Sequence, residues 1–107
     1  MLNFAFISRH VPTTEQHDLA AEKGINLINV GDFDSFTVDA EFVRQSGDDI
    51  EIEFDGVVIV HPAAAMNLCN EFMIGVFKNE NRAAIGEKPR FLATEFYIYD
   101  MRIFGLM

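Results

Sequence analysis

The sequence predicts one α/β domain, a mostly parallel sheet of about five strands flanked by about three helices. Three observations lead there. Short apolar runs rich in β-branched and aromatic residues recur along the chain, polar stretches with helix-start and helix-stop signals alternate with them, and 107 residues leave room for one core. Half of the residues are hydrophobic and eleven are Phe, enough apolar surface to drive collapse of a single domain over residues 1–107.

The elements follow in order. Residues 2–7 form an apolar run that ends abruptly at Ser8-Arg9-His10, as a buried strand leaving a sheet does. Thr13 and Gln16 have capping-box spacing, which starts a helix over residues 15–23 that Gly24 stops. Residues 25–30, closing at Gly31-Asp32, give the second strand, and the βαβ order implies parallel pairing through a right-handed crossover. The Phe42-Val43 pair, followed by Gly47, predicts a short helix over residues 38–46. Residues 48–54 alternate acidic and apolar side chains, which reads as an edge strand or an extended approach to the core.

Residues 56–60 are the most hydrophobic β-branched run and should be the central strand. Pro62 suits the first turn of a helix over residues 63–71. Residues 73–77 resemble a fourth strand, residues 79–89 a polar loop with Gly86 and Pro89, and the aromatic residues 91–99 a strand that completes the sheet. No internal repeat or low-complexity tract interrupts this pattern.

Seventeen acidic against eight basic residues, a net charge of −9, oppose duplex nucleic acid as a partner, because such binding depends on Lys and Arg replacing counterions. A small phosphorylated ligand is compatible with that charge, since a few local donors suffice to hold it. The single cysteine, Cys69, cannot form an internal disulfide and reads as a buried spectator thiol. The first seven residues lack a basic segment, and no apolar run approaches membrane-spanning length, so the expectation is a cytoplasmic protein with no membrane partner.

In open parallel sheets, ligands bind beyond the carboxyl ends of the strands, and three segments fall there. Ser8-Arg9-His10 offers a hydroxyl, a planar fork of donors for phosphate and an imidazole that titrates near neutrality. The plainer reading is that Arg9 and His10 are solvated and pair with nearby carboxylates. His61-Pro62-Ala63-Ala64-Ala65 places small side chains at a helix start, leaving backbone N–H groups open to an anion or a nucleobase, although Pro and Ala equally suit a tightly packed helix. Lys78, Asn79, Asn81 and Arg82 form either a flap over an anion or an ordinary solvated loop.

Other chemistry lacks a pattern. There is no Gly-rich phosphate loop and no paired-Cys or two-His zinc spacing; Asp32-Phe33-Asp34 offers two acids for a divalent ion, as a small metal-dependent hydrolase would need, but such a pair more often forms a turn and cap, so neither a metal nor a cofactor is expected. His17 falls on the exposed side of the first helix, and the acidic run 48–55 reads as a solvated sheet edge that discourages aggregation.

With these segments in place, the chain resembles a small family of CRISPR-associated accessory proteins, single Rossmann-like domains regarded as cyclic-oligoadenylate ring nucleases. The resemblance rests on Phe6-Ile7-Ser8-Arg9-His10, on Glu22-Lys23-Gly24-Ile25, and on the strand Val57 to Val60 running through Pro62 into the Ala-rich segment with Cys69. It covers roughly the first two thirds of the chain. Pro12-Thr13-Thr14, the acidic stretch before the third strand and residues 79–89 depart from the family pattern.

What the resemblance implies is a homodimer that binds a cyclic oligoadenylate and cleaves it without metal, the ribose 2′-hydroxyl attacking the adjoining phosphate. Ser8, Arg9, Pro62, Ala63, Ala64, Asn79 and Arg82 would then bind ligand, with His10 and His61 moving protons. The alternative, from a different class, is a non-catalytic acidic protein of a mobile element or defence system that works by contacting a basic partner, with the acidic run 48–55 mattering more than the loops.

Overall fold

A computed structural model describes residues 1–8, 11–31, 38–59, 66–82 and 90–102. The chain forms β1 (Leu2–Ile7), α1 (Thr14–Glu22), β2 (Ile25–Gly31), α2 (Ala40–Asp49), β3 (Gly56–Val58), β4 (Met73–Arg82) and β5 (Arg90–Tyr99). The five strands make one sheet in the order β2-β1-β3-β4-β5. β1 pairs in parallel with β2 and β3, β3 pairs in parallel with β4, and β5 runs antiparallel to β4. The expected α/β class with a mostly parallel five-stranded sheet is what forms, and β3 is its central strand. The described residues hold two helices and a helical turn at 66–68.

Local signals explain the helix starts. Gln16 N–H donates to Thr13 Oγ1 at 3.2 Å while Thr13 N–H donates to Gln16 Oε1 at 2.9 Å, the reciprocal capping box that the spacing predicts. Asp39 caps α2 by accepting the Phe42 N–H at 2.8 Å. α1 ends because Gly24 adopts φ +74°, a left-handed conformation that side chains with a Cβ disfavour.

Strand alternation then sorts the core into two faces. Ala5, Ile7, Val57 and Ile74 point to one side, where Val38, Ala40 and Val43 from the α2 segment and Leu68 and Phe72 cover them. Phe4, Phe6, Ile25, Leu27 and Val58 point to the other, against Ala20 of α1 and Phe96 of β5. Helices therefore cover both faces.

Gly56 sits directly beneath the Phe4 ring: a Cβ there would lie 2.5 Å from the ring's nearest carbon. The same economy recurs at Gly75, where Phe96 occupies the space. These rings complete an aromatic cluster, Phe4 edge-on to Phe96 at 6.3 Å and Phe77 stacked on Phe96 at 4.4 Å.

Three expectations need correction. Asn79 and Arg82 belong to β4, whose pairing with β5 runs through Asn79↔Ala93 and Arg82↔Arg90, so this segment is a strand rather than a loop or flap. Cross-strand hydrogen bonds outweigh the polar composition that suggested a loop. Residues 48–54 are not an edge strand: Gly47, Asp48 and Asp49 extend α2 by three residues past Ser46, the chain turns at 50–51, and the rest of the run leads into the core, the other form expected of it. Only Phe54 from this run enters the core, and the sheet's edges are β2 and β5. Cys69 is half-buried at the margin of the core rather than enclosed.

Gly56→Ala should destabilise the fold by about 1–3 kcal/mol, because the fully buried Phe4 ring has nowhere to go. Urea denaturation followed by circular dichroism measures this, and an unchanged midpoint would mean the ring relaxes freely.

Candidate functional site

Parallel pairing fixes where the strands end. Phe4, Ala5 and Phe6 of β1 face Gly56, Val57 and Val58 of β3, so both strands leave the sheet side by side at its carboxyl rim. β1 is also where the connections change sides: β2 lies on one flank of β1 and β3 on the other. Beside this rim, β3 pairs with β4 only as far as Gly75, while β4 and β5 continue together to Arg82 and Arg90. At ~3.3 Å per residue the hairpin overhangs the last β3 pair by roughly 20 Å. A wall of two strands thus rises beside the rim.

Of the residues the sequence singles out, Ser8 stands at the end of β1, half-buried and engaged in an interaction. Asn79 and Arg82 lie on the overhanging part of β4. Arg9, His10, His61, Pro62, Ala63 and Ala64 are outside the described residues, as are Asp32 and Asp34. His17 is exposed on α1. Among the described residues, no group of three or more His, Cys, Asp or Glu could hold a metal ion, and no helix is long and apolar enough to cross a membrane.

The opposite, amino edge carries features that residue spacing did not reveal. Asp55 ties the strand starts together: its carboxylate accepts the Asn3 N–H at 2.9 Å, its own N–H donates to Asn3 O at 2.8 Å, and its carbonyl accepts the Met73 N–H at 3.2 Å. Just past β5, Arg102 clasps Asp100 through two bonds, Nε to Oδ1 at 2.9 Å and Nη2 to Oδ2 at 2.7 Å. Between α2, the 51–55 segment and these groups lies an open groove of about 730 Å³. Arg44 on its wall pairs with Glu71 at 3.1 Å. Neither clasp has a sequence signature, because each joins residues that only the folded topology or a tight turn brings together.

The Arg102 hydrogen bond holds the Asp100 carboxyl below the ordinary aspartate value of 3.8, outweighing the opposing effect of burial. The same bond holds the guanidinium charged more firmly than usual.

No family model, curated protein or solved structure matches this chain. What the described residues define is a class: a compact α/β protein with a five-stranded, mostly parallel sheet.

A depressed native pKa means that the clasp's stabilisation is fully present above the unfolded value of 3.8 and disappears as pH falls through the native one. A carbon-detected NMR titration should place the Asp100 midpoint below 3.8, and Arg102→Ala should raise it toward that value. Equal midpoints in the two proteins would show that the clasp does not form in solution.

Proposed function

We propose that this chain is a Rossmann-like ligand-binding domain whose site lies at the carboxyl rim between β1 and β3, and that its ligand is an oligonucleotide second messenger of the cyclic oligoadenylate type. One observation carries the reading: the order β2-β1-β3, with α1 and α2 segments on opposite faces, makes the β1/β3 junction the switch point of the sheet. In doubly wound sheets the connections diverge at such a point and leave a crevice, the usual ligand position. The segments that continue from β1 and β3 are the ones bearing Arg9-His10 and His61-Pro62-Ala63-Ala64.

The chemistry on offer suits a phosphodiester. Arg9 holds a phosphate through its planar donors, and open backbone N–H groups after Pro62 add to the anion's cradle. One of His10 and His61 accepts the proton of the ribose 2′-hydroxyl as its oxygen bonds to phosphorus, and the other, protonated, gives its proton to the departing 5′-oxygen as the P–O5′ bond breaks. Asn79 and Arg82, on the overhanging hairpin, flank the ligand. In this reading the protein acts in the cytoplasm in prokaryotic defence.

A homodimer belongs to the same proposal. Tyr97, Ile98 and Tyr99 remain exposed on β5, one of the two edges of the sheet, and unpaired strand edges invite a second strand.

Titration calorimetry with cyclic tetraadenylate in metal-free buffer, with chromatography of the products, tests the site. Arg9→Ala should weaken binding by roughly tenfold or more. His10→Ala or His61→Ala should slow cleavage by about 10²-fold or more with little loss of affinity. A wild-type protein that neither binds nor cleaves the ring ends this reading. Light scattering should give a dimeric mass that Ile98→Lys halves, whereas a monomeric wild type removes the twofold pairing.

A further inference from the structure

The amino edge of the sheet holds a feature that the rim does not use. The groove between α2, the 51–55 segment and Arg102 has an apolar floor, Phe54 and Phe72 with half-buried Ile52. Its walls carry five carboxylates, from Asp48, Glu51, Glu53, Asp55 and Glu71, against two arginines. Both arginines are already engaged, Arg44 with Glu71 and Arg102 with Asp100. Among the described residues, Asp48, Glu51 and Glu53 have no side-chain partner.

This arrangement works against the fold's own electrostatics. α2 ends in Asp48 and Asp49 with no basic residue in its last turn, although a helix C-terminus carries partial negative charge and favours cations. Glu51 follows just past the C-cap residue Ile50, so like charges accumulate around carbonyls that already repel them.

We infer that the groove docks a basic segment of a protein partner, an Arg or Lys side chain laying its aliphatic stem along Ile52 and Phe54 and its cation among Asp48, Glu51 and Glu53. Charge complementarity selects that occupant. An anion meets unpaired carboxylates and finds both guanidiniums taken. A divalent ion is disfavoured because no three acidic groups here come together in a metal-holding cluster. Long basic side chains, by contrast, match an apolar floor beneath an acidic rim. The inference stands apart from the rim and its ligand: either can fail alone.

The test uses the full chain and a fluorescein-labelled oligo-arginine peptide at about 0.15 M salt, where charges more than ~8 Å away are screened. Fluorescence anisotropy should show binding that the triple variant Asp48→Asn/Glu51→Gln/Glu53→Gln weakens at least tenfold. The off-site variant Glu15→Gln/Asp18→Asn/Glu22→Gln, which removes the same charge from α1, should change it less than twofold. Amide shifts on peptide addition should cluster at residues 48–55 and 71–72. The groove variant should also melt higher than the wild type, because relief of repulsion needs no ligand. Equal losses in both triple variants, shifts spread over α1, a lower melting temperature in the groove variant, or displacement of the peptide by micromolar calcium would each overturn the assignment.

Discussion

The seating of β1 on β3 is the constraint from which the remaining geometry follows. Two contacts set it: the Phe4 ring fills the space above Gly56 that a Cβ would need, and Asp55 meets Asn3 through both backbone and carboxylate. A one-residue slip would send Phe4 and Phe6 to the face now held by Ala5 and Ile7, exchanging large for small side chains throughout both cores. With the register fixed, β1 and β3 end level with each other, and β4, aligned on β3 from Met73, must overshoot them. The rim, the wall beside it and the groove beneath all inherit their positions from this pairing.

The two faces of the sheet solve the packing problem differently. On the α2 side, aliphatic residues from the helix and from the 66–72 segment interlock with Ala5, Ile7, Val57 and Ile74. On the other side α1 commits only Ala20 to full burial, so the helix itself brings little volume. Aromatic rings make up the difference. Phe96 reaches from β5 to Phe4 and stacks on Phe77, drawing the antiparallel edge strand against α1 and spreading the core across the sheet. The abundance of Phe thus has a structural reason on this face, where rings bridge gaps that a richer helix would otherwise fill.

Much of the fold was readable in the residues themselves. β1 and β2 stand where apolar runs lie between polar breaks, and Thr13-Gln16 and Gly24 bound α1 as capping chemistry requires. Legibility failed where long-range pairing overrides local preference. Lys78-Asn79-Glu80-Asn81-Arg82 has the composition of a loop, yet each residue gains cross-strand partners from β5, a gain that only a distant segment can provide. Likewise acidic and apolar residues alternate from Asp49 to Phe54 as an edge strand would, but the capped α2 is already propagating and its extension through Asp49 costs little. For the site, Ser8 emerges at the switch-point rim as the strand pattern implied, and Asn79 and Arg82 lie on a rising hairpin instead of a loop. The acidic run 48–55 stands out in the sequence but the groove does not, because its walls come from four separate stretches and the Arg44–Glu71 pair spans 27 residues.

Charge acquires a different meaning once it is placed on the fold. A total of −9 argues against an anionic ligand only if the carboxylates share the ligand's end of the molecule. Here Asp48, Glu51, Glu53, Asp55 and Glu71 gather at the amino edge. The rim is a full strand away, and the six residues of β1 span roughly 20 Å at a strand's rise. That distance exceeds twice the ~8 Å screening length of physiological salt, so these five acids exert little field where β1 and β3 end. In the proposed reading the groove's acidity selects a basic partner at the amino edge, and an anion at the rim answers to the donors immediately around it. On that reading, strand polarity lets one small domain serve two ligands of opposite charge at its two ends.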